Sequence, residues 1–166
     1  SNTYGVVVGT VVSVNDPQGE GRIRVRYPWM PGNNEGYWAP VATTMAGGGR
    51  GTWFRPEEND EVLIAFDQGD VRHPYIIGYL WNGADRPPSD DHDLRLIRTV
   101  NGHEIALYDP AIEGGDTGYI RIRDAHGNQI EMRNANIAIR SVGVITIDAP
   151  TVIINGRPVA PAPRPI

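Results

Sequence analysis

From residue 97 to residue 155 the chain reads as short alternating strands separated by turn residues, and this pattern limits what it can become. The runs are Ile105 onward, Tyr119-Ile120-Arg121-Ile122-Arg123, Ile137-Ala138-Ile139-Arg140, Val144-Ile145-Thr146-Ile147 and Val152-Ile153-Ile154. Each strand offers one apolar residue per two positions to one face of a sheet. No helix or second sheet can be read elsewhere in the chain to cover that face. The expected solution is self-association: an intertwined oligomeric β-prism whose axis is lined by Ile120, Ile122, Ile130, Met132, Ile137, Ile139, Ile145, Ile147, Val152 and Ile154. Which parity faces the axis stays open, because one bulge reverses the assignment.

Composition supports an all-β fold. The 166 residues include 20 glycines and 14 prolines, and Val, Ile, Thr and Tyr fill the intervals between them. The formal charge of −5 disfavours a polyanion, since phosphate binding draws on clustered positive charge. No nucleic acid partner is expected. All basic residues are arginine, which suits packed bidentate interfaces but also follows from base composition. Without cysteine there are no disulfides or thiolate metal sites. No apolar run approaches the roughly 20 residues that span a bilayer, and the start lacks the features of a signal peptide. The opening Ser1-Asn2-Thr3 reads as a tag remnant or as a cut from a longer parent.

Residues 1–82 carry five strand-like segments: Tyr4 to Val14, Arg22 to Tyr27, Tyr37 to Thr44, Glu61 to Asp67 and Tyr75 to Trp81. Five strands of this length predict a small closed barrel of OB type, with an SH3-like barrel as the competitor. Residues 83–96 are polar and proline-bearing, as a linker is; 97–155 form a second strand-rich region, and 156–166 a proline-rich tip or tail.

Candidate chemical sites are weak. Asp90-Asp91-His92-Asp93 holds metal-competent ligands but reads as a solvated hinge, and the histidines at 73, 92, 103 and 126 have neither HxH nor HExxH spacing. Gly47-Gly48-Gly49-Arg50-Gly51-Thr52 lacks the Gly-Lys-Ser/Thr ending of a phosphate loop and reads as a flexible connection. The turn Asp124 to Glu131 is too short for a calcium loop. No serine lies in a Gly-x-Ser-x-Gly elbow. No enzyme, metal or cofactor is expected. Trp29, Tyr37, Trp38, Trp53, Phe54 and Trp81 could stack bases or sugars, which keeps open an alternative: an OB module that binds single-stranded nucleic acid or glycan.

Ala46-Gly47-Gly48-Gly49-Arg50-Gly51-Thr52-Trp53-Phe54-Arg55-Pro56, then Asp60-Glu61-Val62-Leu63-Ile64-Ala65-Phe66, then Gly69-Asp70 through Ile77-Gly78 and Asn82-Gly83, form an ordered string that resembles one family. The chain is similar to the spikes of contractile injection machines: the valine-glycine-repeat spike of type VI secretion, baseplate assembly protein V of contractile-tailed phages, and the spikes of phage-tail-like particles. Asn101-Gly102-His103-Glu104 and Asp124-Ala125-His126-Gly127-Asn128 resemble the entry to that family's needle. The resemblance implies a homotrimer with three OB barrels as a collar bound to a hub or baseplate protein. It also implies a needle that contacts and punctures the target membrane when the sheath contracts. Such a protein is made in the bacterial cytoplasm without a signal peptide, resides in the baseplate and is delivered outward. With no lysozyme domain between barrel and needle, peptidoglycan hydrolysis is not expected. With no HxH apex, a separate PAAR-repeat tip protein is expected to cap Asn155, Gly156, Arg157 and Pro158.

Overall fold

The computed structural model describes residues 2–31 and 35–160. It divides into two compact units, Ser1–Pro87 and Pro88–Ile166, and contains strands, turns and one short 3₁₀ turn at Asp67–Gly69. The last six residues of the proline-rich tail, 161–166, lie outside the described residues.

The first unit holds β1 (Val6–Ser13), β2 (Ile23–Arg26), β3 (Glu35–Ala39), β4 (Ala46–Gly47), β5 (Arg50–Gly51), β6 (Glu61–Phe66) and β7 (Pro74–Tyr79). Its five-stranded sheet has the order β3-β2-β1-β6-β7. The ends meet through a parallel bridge between Val41 and Ile76, where Ile76 N–H donates to Pro40 O and Ala42 N–H to Ile76 O at 2.9 and 2.8 Å. Five strands closed in this order, with a parallel junction between the third and the fifth, make the OB arrangement and decide between the two barrel types expected. Alternation explains the core: Val62, Ile64 and Phe66 point inward from β6, and Val11, Ile23, Val25, Tyr27, Ala39 and Ile76 meet them. Fully burying each such side chain contributes about 1.5–3 kcal/mol. Tyr27 is buried without a partner for its hydroxyl among the described residues, and burial pushes its pKa up to about 12. A Cβ at Gly36 would overlap its ring, which is why β3 can lie so close.

The β1–β2 turn is organised by one carboxylate. Asp16 accepts bonds from the backbone N–H of Gln18, Glu20 and Arg22, and a two-pronged pair from the Arg22 guanidinium at 2.9 Å. The Arg22 hydrogen bond, aided by the backbone donors of Gln18 and Arg22, holds this carboxyl well below the usual carboxylate range. Arg72 does the same for Asp70, down to about 2. A depressed folded-state value stabilises the fold above the unfolded value, about pH 4, and that contribution disappears as pH falls through the folded value. The barrel's melting temperature should therefore hold from about pH 7 to pH 5 and decline below pH 4. Asp16→Asn should show a smaller acid decline than the parent; equal declines would exclude Asp16 as a contributor.

One expectation changes in this unit. The stretch Gly47–Thr52 is not a free loop: β4 and β5 pair as a hairpin arm, tied by Thr52 N–H to Met45 O at 2.9 Å and by Thr43 Oγ1 to Thr52 O at 2.8 Å. Trp53 and Phe54 are exposed at its base.

The second unit holds β8 (Leu94–Arg98), β9 (Glu104–Tyr108), β10 (Tyr119–Arg123), β11 (Gln129–Arg133), β12 (Asn136–Arg140), β13 (Ile153–Ile154) and β14 (Arg157–Pro158). β8 to β12 pair consecutively as an antiparallel meander, and β13–β14 form a separate hairpin. A prism is thus not formed within one chain. β8 starts at Leu94, inside the segment read as linker. Val144–Ile147 has the alternation of a strand but joins no ladder among the described residues. Ser141 explains the departure: its Oγ accepts from Gly143 N–H and donates to Val144 O, both at 3.0 Å, turning the backbone away from β12.

Candidate assembly interface

The meander's register sorts its side chains by chemistry. Ile122 stands opposite Ile105 and Ile130, Ile120 opposite Leu107 and Met132, Ile139 opposite Ile130, Ile137 opposite Met132, and Ile97 opposite Ile105. One face therefore carries Ile97, Ile105, Leu107, Ile120, Ile122, Ile130, Met132, Ile137 and Ile139. All nine are exposed, from 42% at Ile130 and Met132 to 68% at Ile137. In the whole unit the buried apolar core consists of Ala106 alone among the described residues. A contiguous bare apolar face of this kind marks an interaction surface.

The other face carries arginine–carboxylate pairs around Ala106, with the Arg121 Nε buried and without a hydrogen-bond partner among the described residues. Arg98 donates to Glu104 Oε2 at 2.7 and 2.9 Å, Arg121 reaches Glu104 at 3.5 Å and Glu131 at 3.9 Å, and Arg133 binds Asp116 at 2.6 Å. The Arg98 hydrogen bond holds the Glu104 carboxyl below its ordinary value. Arg121 lies 4.8 Å over the Tyr119 ring, which packs against Tyr108 at 5.1 Å. Salt-bridge ladders of this type suit a face turned to solvent, where each pair contributes little.

Of the ten residues expected along an axis, strand pairing gathers Ile120, Ile122, Ile130, Met132, Ile137 and Ile139. Ile145 and Ile147 lie beyond β12, exposed in the segment without a ladder. Val152 is half-buried, with its carbonyl accepting from Val159 N–H at 2.7 Å, and Ile154 is exposed in β13. Ile97, Ile105 and Leu107 complete the face and were missing from the expected set; their signal was alternation within β8 and β9, legible only once those strands pair with β10. Asn155 and Gly156, with φ of 52° and 75°, make the tight turn of the β13–β14 hairpin, and Arg157 and Pro158 follow on its return strand. A proline is tolerated there because a two-residue pair has an open edge.

The other candidates stay apart from this surface. No group of three or more His, Asp or Glu side chains fit to hold a metal occurs among the described residues. In the Asp124 turn the carboxylate is consumed by the backbone N–H of His126 and Asn128 and by Asn128 Nδ2. Trp29 packs on Tyr27, while Arg24 lies 6.0 Å from the Trp38 ring.

An OB-type barrel joined to a sheet that leaves a whole apolar face uncovered defines a subunit of a larger assembly. Comparison with known families makes the assignment particular: residues 7–81 match the type VI secretion system/phage-baseplate injector OB domain, and residues 95–159 match the phage baseplate V C-terminal trimerisation domain. The chain belongs to this family, that of the spike proteins of type VI secretion and phage baseplates. Similar proteins include the type VI secretion system spike protein VgrG2a of Pseudomonas aeruginosa, 29% identical over 60% of this chain and 13% of its own length. VgrG3 of Vibrio cholerae is 30% identical over 60% of the chain and 11% of its own length. VgrG4b of Pseudomonas aeruginosa is 31% identical over 70% of the chain and 15% of its own length. The chain thus spans less than a sixth of each of these relatives.

Proposed function

We propose that this protein is a non-enzymatic subunit of the central spike of a contractile injection machine, acting as a homotrimer. The observation that carries the reading is the nine-residue apolar face, bare in a unit whose only fully buried apolar side chain among the described residues is Ala106. A sheet cannot stay folded in water with that face open, and threefold closure buries three copies of it on one axis at about 25 cal/mol per Å². Ile145, Ile147, Val152 and Ile154 extend the same axis, with the 144–147 segment completing its ladder on neighbouring chains. The outer faces, with their arginine–carboxylate ladders, meet solvent.

Mechanically the spike is passive. The contracting sheath supplies the energy, and interchain ladders resist buckling as the needle meets the target membrane. The OB unit holds the spike to the hub, and Asn155, Gly156, Arg157 and Pro158 present the hairpin to which a PAAR-repeat tip protein binds. The protein resides in the baseplate and is delivered outward on contraction. The test is solution mass: sedimentation should give about 55 kDa, three times 18.2 kDa, at micromolar concentration. A well-folded species of 18.2 kDa would overturn the reading.

A further inference from the structure

The barrel carries two bare apolar surfaces that its own fold leaves without a partner. The first is the outward side of β1, β6 and β7. Val6 stands opposite Ala65 and Val8 opposite Leu63, while Tyr75 is opposite Ala65 on the other flank. Val6, Val8 and Tyr75 are 56, 38 and 39% exposed. The second is the β4–β5 arm with Met45, Trp53 and Phe54, which borders an open groove of about 970 Å³ whose other wall includes Ile77, Gly78 and Tyr79 of β7.

The arm is held in place before anything binds it. Thr44 Oγ1 and Thr52 Oγ1 bond across it at 2.9 Å, and Tyr79 donates to Phe54 O at 3.2 Å. The far edge of the Trp53 indole rests where a Cβ of Gly21 would be. A surface already fixed loses little entropy on binding.

We propose that in the trimer the arm of one barrel grips the β1–β6–β7 face of the next, closing a ring of three barrels. This rests on the trimeric reading above. Two facts select a second copy as the occupant. A threefold ring is closed by head-to-tail contacts, which require two different, complementary surfaces on each subunit, and the barrel has two, both apolar. Residues 83–93, between β7's flanking segment and β8, span at most about 40 Å when fully extended, so trimerisation of the following unit confines the barrels together. Tethering of that order acts as a local concentration in the millimolar range, at which modest apolar patches associate.

The absence of native cysteine provides the test. Full-length Val8→Cys and Met45→Cys chains, co-expressed and treated with a short bismaleimide, can form bridges only between chains. A dimer band on a denaturing gel in the mixture, and in neither variant alone, is the expected result; Val6→Cys with Phe54→Cys repeats it at the same junction. Trimeric mass with no bridge from either pair overturns the arm contact and leaves the trimer standing. Bridges formed by one variant with itself overturn the head-to-tail arrangement, and monomeric mass overturns both readings.

Discussion

Ile130→Asp leaves the chain monomeric. Ile130 sits at the middle of the apolar face, with Ile122 and Ile139 opposite it on the two flanking strands. In the single chain it is 42% exposed, so the carboxylate itself is solvated there and the loss falls on assembly. On a threefold axis the same group loses its water and finds only isoleucine, leucine and methionine. An unpaired buried charge costs several kcal/mol, and symmetry repeats the cost three times in one small volume, which exceeds what a trimer of this size can absorb. Gln129→Asp is the matched control, since it adds the same charge one residue away on the polar face, between Arg123 and Arg140. Sedimentation should show one mass unit for the first variant and three for the second. Retention of the trimer by Ile130→Asp would remove this face from the axis.

How much of this was legible in the sequence depended on where the partner of each strand lies. The barrel strands were readable because each has a polar or glycine-rich turn and an inward alternation satisfied within its own sheet, as in Arg22 to Tyr27. The arm was not readable: two-residue strands are too short to show a period, and hydroxyls of Thr43, Thr44 and Thr52 hold it together rather than apolar packing. β8 was misread at its start because Leu94 follows the acidic run Asp90-Asp91-His92-Asp93, which resembles a linker until Asp109 N–H is seen bonding to Asp93 O. The shared apolar face depends on register, and register depends on turns. At Asn134-Ala135 both residues take positive φ, 45° and 50°, in a tight hairpin that an alanine does not announce. Val144–Ile147 shows the opposite case: its alternation reports a preference for extended backbone and carries no information about which chain supplies the neighbouring strand.

Gly118→Ala should be far more damaging than its size implies, and it tests whether the meander is held by a fixed β9–β10 junction. Gly118 has φ of +90°, a conformation that L side chains avoid, and a Cβ there would run into the carbonyl oxygen of Tyr108 and lie 2.7 Å from Pro110 Cδ. Neither obstacle is a flexible side-chain end, so the backbone itself must move. Movement is opposed from three sides: Gly118 N–H donates to Asp116 Oδ1, Asp116 is paired with Arg133, and Tyr119 packs on Tyr108 beneath Arg121. The expected loss is about 3 kcal/mol per chain, combining backbone strain with forced repacking. Gly102→Ala separates the two causes, because Gly102 has nearly the same φ, +91°, but meets nothing nearer than the Ala125 Cβ at 4.0 Å. It should cost about 1 kcal/mol, the conformational penalty alone. Urea unfolding followed by amide hydrogen exchange in β9 and β10 measures both, and equal losses in the two variants would show that the Tyr108 junction yields freely and does not hold the meander's register.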